Sequence, residues 1–167
     1  RLGRLQALDN ENESRAHFLY DPIGRLLEEK SFDGRITRYR YDSDTGHLSH
    51  IVNGERVICV SFDAMGRLIE RRASQGEKSQ SERFIYDGNG NLIEAANADS
   101  RLQWFHDLAG NVLREHQHYL GLDQPPVVGV WQHEYDVLNN RVATVRQDGH
   151  RVSWLTYGSG HLLGLRL

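Results

Sequence analysis

Histidine supplies the first candidate for chemistry in this chain, with His116-Gln117-His118 and His133 crowded into one stretch. On an extended strand, residues two apart share a face, so His116 and His118 would present two imidazoles side by side. Zinc needs at least a third protein ligand. No cysteine pair and no helical His-x-x-x-His supplies one, so we read these histidines as polar strand residues, with no metal and no cofactor. Carboxylates are the second candidate: Glu28-Glu29, and an Asp that returns at Asp21, Asp63, Asp87, Asp107 and Asp136. Catalytic carboxylates converge in one pocket, whereas an Asp that returns once per repeat is a turn residue. Cys59, the lone cysteine, excludes an intrachain disulfide, and its setting in "RVICVSF" reads as a packed strand thiol. We expect no catalytic residue and no enzyme.

The recurring Asp leads to the elements. In Asp21-Pro22-Ile23-Gly24 each residue suits a type I turn, with Asp first, Pro second and Gly fourth. A three-residue hairpin loop puts that Gly in the left-handed region and opens a bulge behind it. The same frame fits Asp63 to Gly66, Asp87 to Gly90 and Asp107 to Gly110, and Asp136 to Asn139 with Asn in the Gly place. Between these corners, Asp33-Gly34, Asn53-Gly54 and Asp148-Gly149 each join two strand-like runs and predict two-residue type I′ hairpins. The period is marked by an aromatic residue ahead of each corner: Tyr20, Tyr41, Phe62, Tyr86, His106 as a stand-in, Tyr135 and Tyr157. Two corners depart from the frame and predict different loops. Asp42 to Gly46 has one extra residue, and Tyr157 to Gly160 lacks the Asp and one residue. "LGLDQPPVVG" stretches one unit, and "ASQGEKSQSER" reads as a lengthened hairpin loop.

Helix is not expected. "LLEEKSF" and "LIERRAS" follow hairpin corners and are too short to hold helix alone, so they read as charged strands. In Arg35 to Tyr41, Thr37, Tyr39 and Tyr41 share one face. Val60, Phe84, Trp104, His133 and Leu155 stand where Tyr39 stands, two before the aromatic marker, and predict a ladder of large side chains on that face. About 14 strands in a row would curl rather than stay flat.

Composition narrows the class. Hydrophobic residues make up 38% and charged residues 26%, with 16 Gly and 3 Pro, which suits a patterned globular chain rather than a disordered one. Lys+Arg of 20 against Asp+Glu of 23 gives a net charge of −3 without a basic block, which argues against nucleic acid. No run reaches the ~18 apolar residues of a membrane helix, and no signal-peptide pattern opens the chain, which starts at Arg1. No membrane insertion by this segment is expected.

Tyr-Asp-x-x-Gly-Arg/Asn-Leu at this spacing resembles the YD repeat of the Rhs family, the bacterial polymorphic-toxin shells related to toxin-complex C proteins and teneurins. The resemblance rests on Tyr20, Asp21, Gly24 and Arg25; on Phe62, Asp63, Gly66 and Arg67; on Tyr86, Asp87, Gly90 and Asn91; and on His106, Asp107, Gly110 and Asn111. Degraded copies follow at Tyr41, Asp42 and Gly46, at Tyr135, Asp136 and Asn139, and at Tyr157 and Gly160. It implies an all-β chain of antiparallel hairpin repeats, part of a curved, spiralling sheet that forms a cocoon-like shell wall. It also implies about seven repeats over residues 1–167 with no separate domain, a fragment of a larger shell. The implied partners are the rest of that shell and an enclosed C-terminal toxin domain, delivered by a bacterial secretion system. Rhs shells carry an aspartyl self-cleaving segment with a DPxGL-type motif. Asp21-Pro22 sits instead in an ordinary corner, so no catalytic residue carries over.

The alternative implied by the teneurin branch is an extracellular carbohydrate-binding or adhesion β-repeat module. Tyr39, Trp104, Trp131 and Trp154 offer flat faces for a sugar, although cross-strand packing accounts for aromatics in strands. A single sheet without a covering layer would also be prone to self-association when isolated, through its uncovered face and its edge strands.

Overall fold

The computed structural model describes residues 3–121, 127–158 and 160–166. Residues 122–126 of the stretched "LGLDQPPVVG" segment lie outside them. The described residues group into two compact units, 1–81 and 82–167. In the first unit run β1 (Ala7–Asp9), β2 (Arg15–Tyr20), β3 (Leu26–Lys30), β4 (Ile36–Tyr41), β5 (Leu48–Asn53), β6 (Arg56–Phe62) and β7 (Leu68–Gln75). The second runs from within β8 (Lys78–Tyr86) through β9 (Leu92–Ala96), β10 (Ser100–His106), β11 (Val112–Tyr119), β12 (Val127–Tyr135), β13 (Arg141–Arg146), β14 (Arg151–Tyr157) and β15 (His161–Arg166). No helix occurs among the described residues. Within each unit every strand pairs antiparallel with the next in sequence, so the fold is all-β and built of successive hairpins.

Corner geometry follows the turn chemistry. Gly24, Gly66, Gly90 and Gly110 have φ of 88°, 78°, 92° and 88°, and Asn139 has 63°. Behind each corner the ladder slips by one residue at the aromatic marker, as at Leu19/Tyr20, Ser61/Phe62 and Phe105/His106. The two irregular corners do differ. Gly46 bonds back four residues, to the Asp42 carbonyl at 3.0 Å. At the last corner the slip moves ahead of the marker, to Leu155/Thr156.

The two-residue turns are largely corrected. At Asp33-Gly34, Gly34 N–H donates to the Ser31 carbonyl (2.9 Å), and Ser31 N–H to the Arg35 carbonyl (2.9 Å). Asp148-Gly149 repeats this from Arg146, so both are type I turns with a bulge, like the corners. That loop needs positive φ at the Gly alone, whereas type I′ would force it on the Asp as well. Asn53 pairs with Arg56, which makes Gly54-Glu55 the two-residue loop, with Gly54 at φ 58°. The "ASQGEKSQSER" segment is not a long loop either. Strand runs to Gln75 and resumes at Lys78, because alternating Ser and Gln satisfy a strand as well as a loop. A corner without any Gly escaped notice at Asn10 to Glu13. There Glu13 takes φ 58°, and Asn10 Oδ1 accepts Asn12 N–H and Ser14 N–H, each at 2.9 Å.

The aromatic ladder forms, with one substitution. In the first unit Tyr39 lies opposite Ile51, Ile51 opposite Ile58, and Val60 follows on the same face. In the second, Phe84 pairs with Ala95 and Ala95 with Leu102; Trp104 and Trp131 both lie opposite Glu115, and His133 lies opposite Thr144. Thr144 pairs with Val152, which puts Trp154 on that face and Leu155 on the other, 47% exposed. Tyr39 is five residues beyond Gly34, and Trp154 is five beyond Gly149. The extra residue lies after them, and a one-residue slip exchanges the faces. Burial stays shallow throughout. Among the described apolar side chains only Ala16 (4% exposed) and Ala143 (0%) are buried.

Gly66→Val should lower the melting temperature, since a β-branched residue at positive φ is strained by about 1–3 kcal/mol. Glu13→Gly should raise it, by up to about 1 kcal/mol after the added unfolded-chain entropy. Thermal melts of both variants check the pair; unchanged melting of Gly66→Val would refute the corner geometry.

Candidate structural site at the repeat corners

Each corner of the regular frame is closed by its Asp carboxylate. At Asp107, Oδ1 accepts the backbone N–H of Ala109 (2.9 Å) and Asn111 (2.8 Å), and Oδ2 accepts Asn111 Nδ2 (2.9 Å). Asp87 does the same with Asn89 and Asn91, and Asp136 with Leu138 and Asn140. At Asp63 the second oxygen takes Arg67 Nε (2.7 Å), and at Asp21 it takes Arg25 Nε (2.7 Å). This explains the Arg/Asn alternation after the Gly: Nε and Nδ2 both place a planar N–H donor on the same oxygen. Asn140 joins the motif as its fifth such residue, and sequence reading missed it because Asn139 obscured the frame.

These hydrogen bonds hold the carboxylates below the ordinary Asp value of 3.8. At Asp107 the side-chain bond from Asn111 contributes most, followed by its backbone N–H. At Asp21 burial pushes the value up, and the Arg25 bonds and charge outweigh it.

The same residues reach the neighbouring repeat. Arg25 Nη1 donates to the Gly46 carbonyl at 3.3 Å, and its guanidinium lies 4.4 Å over the Tyr41 ring. Arg4, one repeat earlier, donates to the Ile23 carbonyl at 3.3 Å and lies 5.7 Å over Tyr20. Asn111 Nδ2 also reaches Asn139 Oδ1 at 2.9 Å. The marker tyrosines bond backward. Tyr20, Tyr41 and Tyr135 hydroxyls donate to the carbonyls of Leu5, Leu26 and Val112 at 3.0, 2.8 and 3.0 Å. Each acceptor is the residue two after the preceding repeat's fourth turn position. Phe62 lacks the hydroxyl and packs its ring 5.2 Å from His47, which stands in the Arg place. His106 Nδ1 is buried without a hydrogen-bond partner. The fourth turn position needs Gly for its φ; space adds to this only locally, where a Cβ at Gly24 would displace the Arg4 guanidinium and one at Gly160 the Asn140 amide, while at Gly66 and Gly110 the nearest atom is 3.6 and 3.5 Å away.

The other candidates do not converge. Glu28 and Glu29 point to opposite faces, Glu28 to Arg38 Nε (2.9 Å) and Glu29 toward Tyr39, whose pKa is raised by burial and then by Glu29. His116 and His118 rings lie 6.1 Å apart on one face, while His133, on the other face, is buried against Thr144 Oγ1 (3.0 Å). Burial, aided by Arg141, lowers the His133 pKa. Among the described residues no three His, Cys, Asp or Glu side chains gather to hold a metal. Cys59 is half-buried, opposite His50 and Arg72. Trp104 and Trp131 share a face with Glu115 between them, whereas Tyr39 belongs to the first unit.

No family model matches the chain. It is 38% identical over 104 residues to toxin protein Tse5 of Pseudomonas aeruginosa, across 61% of this chain and 8% of that protein. Its fold is similar to the crystal structure of TcdB2-TccC3-TEV, with a TM-score of 0.72 and 18% identity, over 91% of this chain and 9% of that one. The Tc holotoxin pore of Photorhabdus luminescens gives a TM-score of 0.60 and 14% identity, over 90% of this chain and 10% of that one. The chain thus spans about a tenth of the proteins it matches.

Because the corner carboxylates have depressed pKa values when folded, their stabilisation is complete above the unfolded Asp value and is lost as pH falls through the folded values. Melting temperature should therefore drop below about pH 4, and Asp107→Asn should show a smaller drop across that window by calorimetry. His106→Tyr should stabilise by about 0.5–1.5 kcal/mol by restoring the backward hydroxyl bond, and Tyr135→Phe should cost a similar amount; denaturant melts measure both.

Proposed function

We propose, from a chain that belongs to the Rhs/YD-repeat family and is a structural segment of an Rhs-type toxin, that it forms one stretch of a shell wall enclosing a C-terminal toxin domain. The observation carrying this reading is the corner stack. Within each unit Arg25, Tyr41, Asn111 and Tyr135 bond to the neighbouring repeat, yet the described residues bury almost no apolar side chain of their own. Such a ribbon gains stability by being continued and covered, as repeat arrays do. In this reading residues 1–167 are one run of about seven repeats, without enzymatic activity, winding with the rest of the shell. The likeness to Tse5 and to the TccC3 assemblies supports secretion with a toxin.

A glycan-binding or adhesion module is the second reading. Trp104 and Trp131 flank Glu115, which accepts Gln117 Nε2 at 3.1 Å, a flat-faced and hydrogen-bonding arrangement that suits a pyranose. The described residues do not place Tyr39 or Trp154 beside them.

Limited proteolysis of the complete reading frame around this segment separates the two. A downstream domain that resists protease in the native protein, and is digested when Asp63 and Asp107 are both replaced by Ala, is the expected result. Equal digestion of that domain in both proteins would overturn the enclosure, and saturable glycan binding lost in Trp131→Ala would establish the second reading. Expressed alone, the 167-residue chain should self-associate in sedimentation at low micromolar concentration. A compact monomer would mean that its faces are satisfied without a shell.

A further inference from the structure

We propose that the polar face of the second unit holds an oxyanion, a carboxylate or phosphate group, between Arg83, Arg101 and His118. The register brings the three together. Arg83 and Arg101 both lie directly opposite Ala96, and Arg101 lies directly opposite His118. The side chains therefore project from one face, with the two guanidinium stems about 10 Å apart across the Ala96 methyl. That span suits two forked donors closing on one small anion, for which a longer side chain at Ala96 would leave no floor.

The two guanidinium groups are not ion-paired. Neither Arg83 nor Arg101 makes an ion pair among the described residues, and Arg101 Nε is buried without a hydrogen-bond partner. A buried guanidinium N–H without an acceptor is costly. Glu94, the carboxylate on the same face, is engaged by Gln103: Gln103 Nε2 donates to Glu94 Oε2 at 2.9 Å. Gln103 Oε1 is thereby turned to His118 Nε2 at 3.1 Å, so His118 donates through Nε2. The ring is held by this chain with Nδ1 left over. The imidazole thus closes the third side of a cradle whose other two sides are the arginines.

Titrating the 167-residue chain with inorganic phosphate, and separately with acetate, in low-chloride buffer tests the site by nuclear magnetic resonance of the Arg Nε–H and His ring signals. Saturable shifts confined to Arg83, Arg101 and His118 are expected with at least one of the two probes, and which one saturates assigns the anion. Arg101→Gln should weaken binding about tenfold or more, and Arg83→Gln, at an exposed position, provides the same test if the first variant fails to fold. No saturable shift with either probe, or equal binding by wild type and both variants, overturns the proposal.

Discussion

A carboxylate that accepts both backbone and side-chain N–H donors across its own turn is the interaction on which the rest of this structure depends. Asp21, Asp63, Asp87, Asp107 and Asp136 each close a tight turn, and each also orients the Arg or Asn that follows the fourth turn position. An oriented Arg25 or Asn111 then has one remaining direction for its free donors, which is the next corner. Local turn chemistry thus becomes a contact between repeats about twenty residues apart. The marker tyrosine completes it from the other side by returning a hydroxyl bond to the strand that left the previous corner.

This arrangement substitutes for a core. A sheet normally buries one face against another layer, and here large side chains such as Leu108 and Val137 stand 101% and 98% exposed at the corners. Stability must come from ladder hydrogen bonds, cross-strand pairs and the corner stack, each worth about a kilocalorie per mole or less and each dependent on an adjacent repeat. A chain of that kind tolerates imperfect copies. Phe62 replaces the hydroxyl bond by ring packing on His47, and His106 forgoes it.

Turn positions, strand spacing and the all-β class were legible in the sequence because they depend on residues within four or five positions of each other. Asp-x-x-Gly demands one backbone geometry almost regardless of context. Asp33-Gly34 and Asp148-Gly149 misled for a related reason: Asp-Gly satisfies two turn types, and the choice depends on whether Ser31 or Arg146 supplies the first carbonyl. The Asn10 corner was hidden because Glu13 accepts a conformation that its type disfavours.

By itself, then, the amino-acid order determined the repeat, its corners and the alternation of faces, all of which are short-range consequences of backbone sterics and side-chain donors. Only the tertiary structure decided which residues became neighbours across strands. It put Trp154 rather than Leu155 on the aromatic face, set His133 apart from His116 and His118, and aligned Arg83 and Arg101 beside Ala96. Register decides these, and register accumulates from every loop length along the ladder, so that one inserted residue turns a whole strand over.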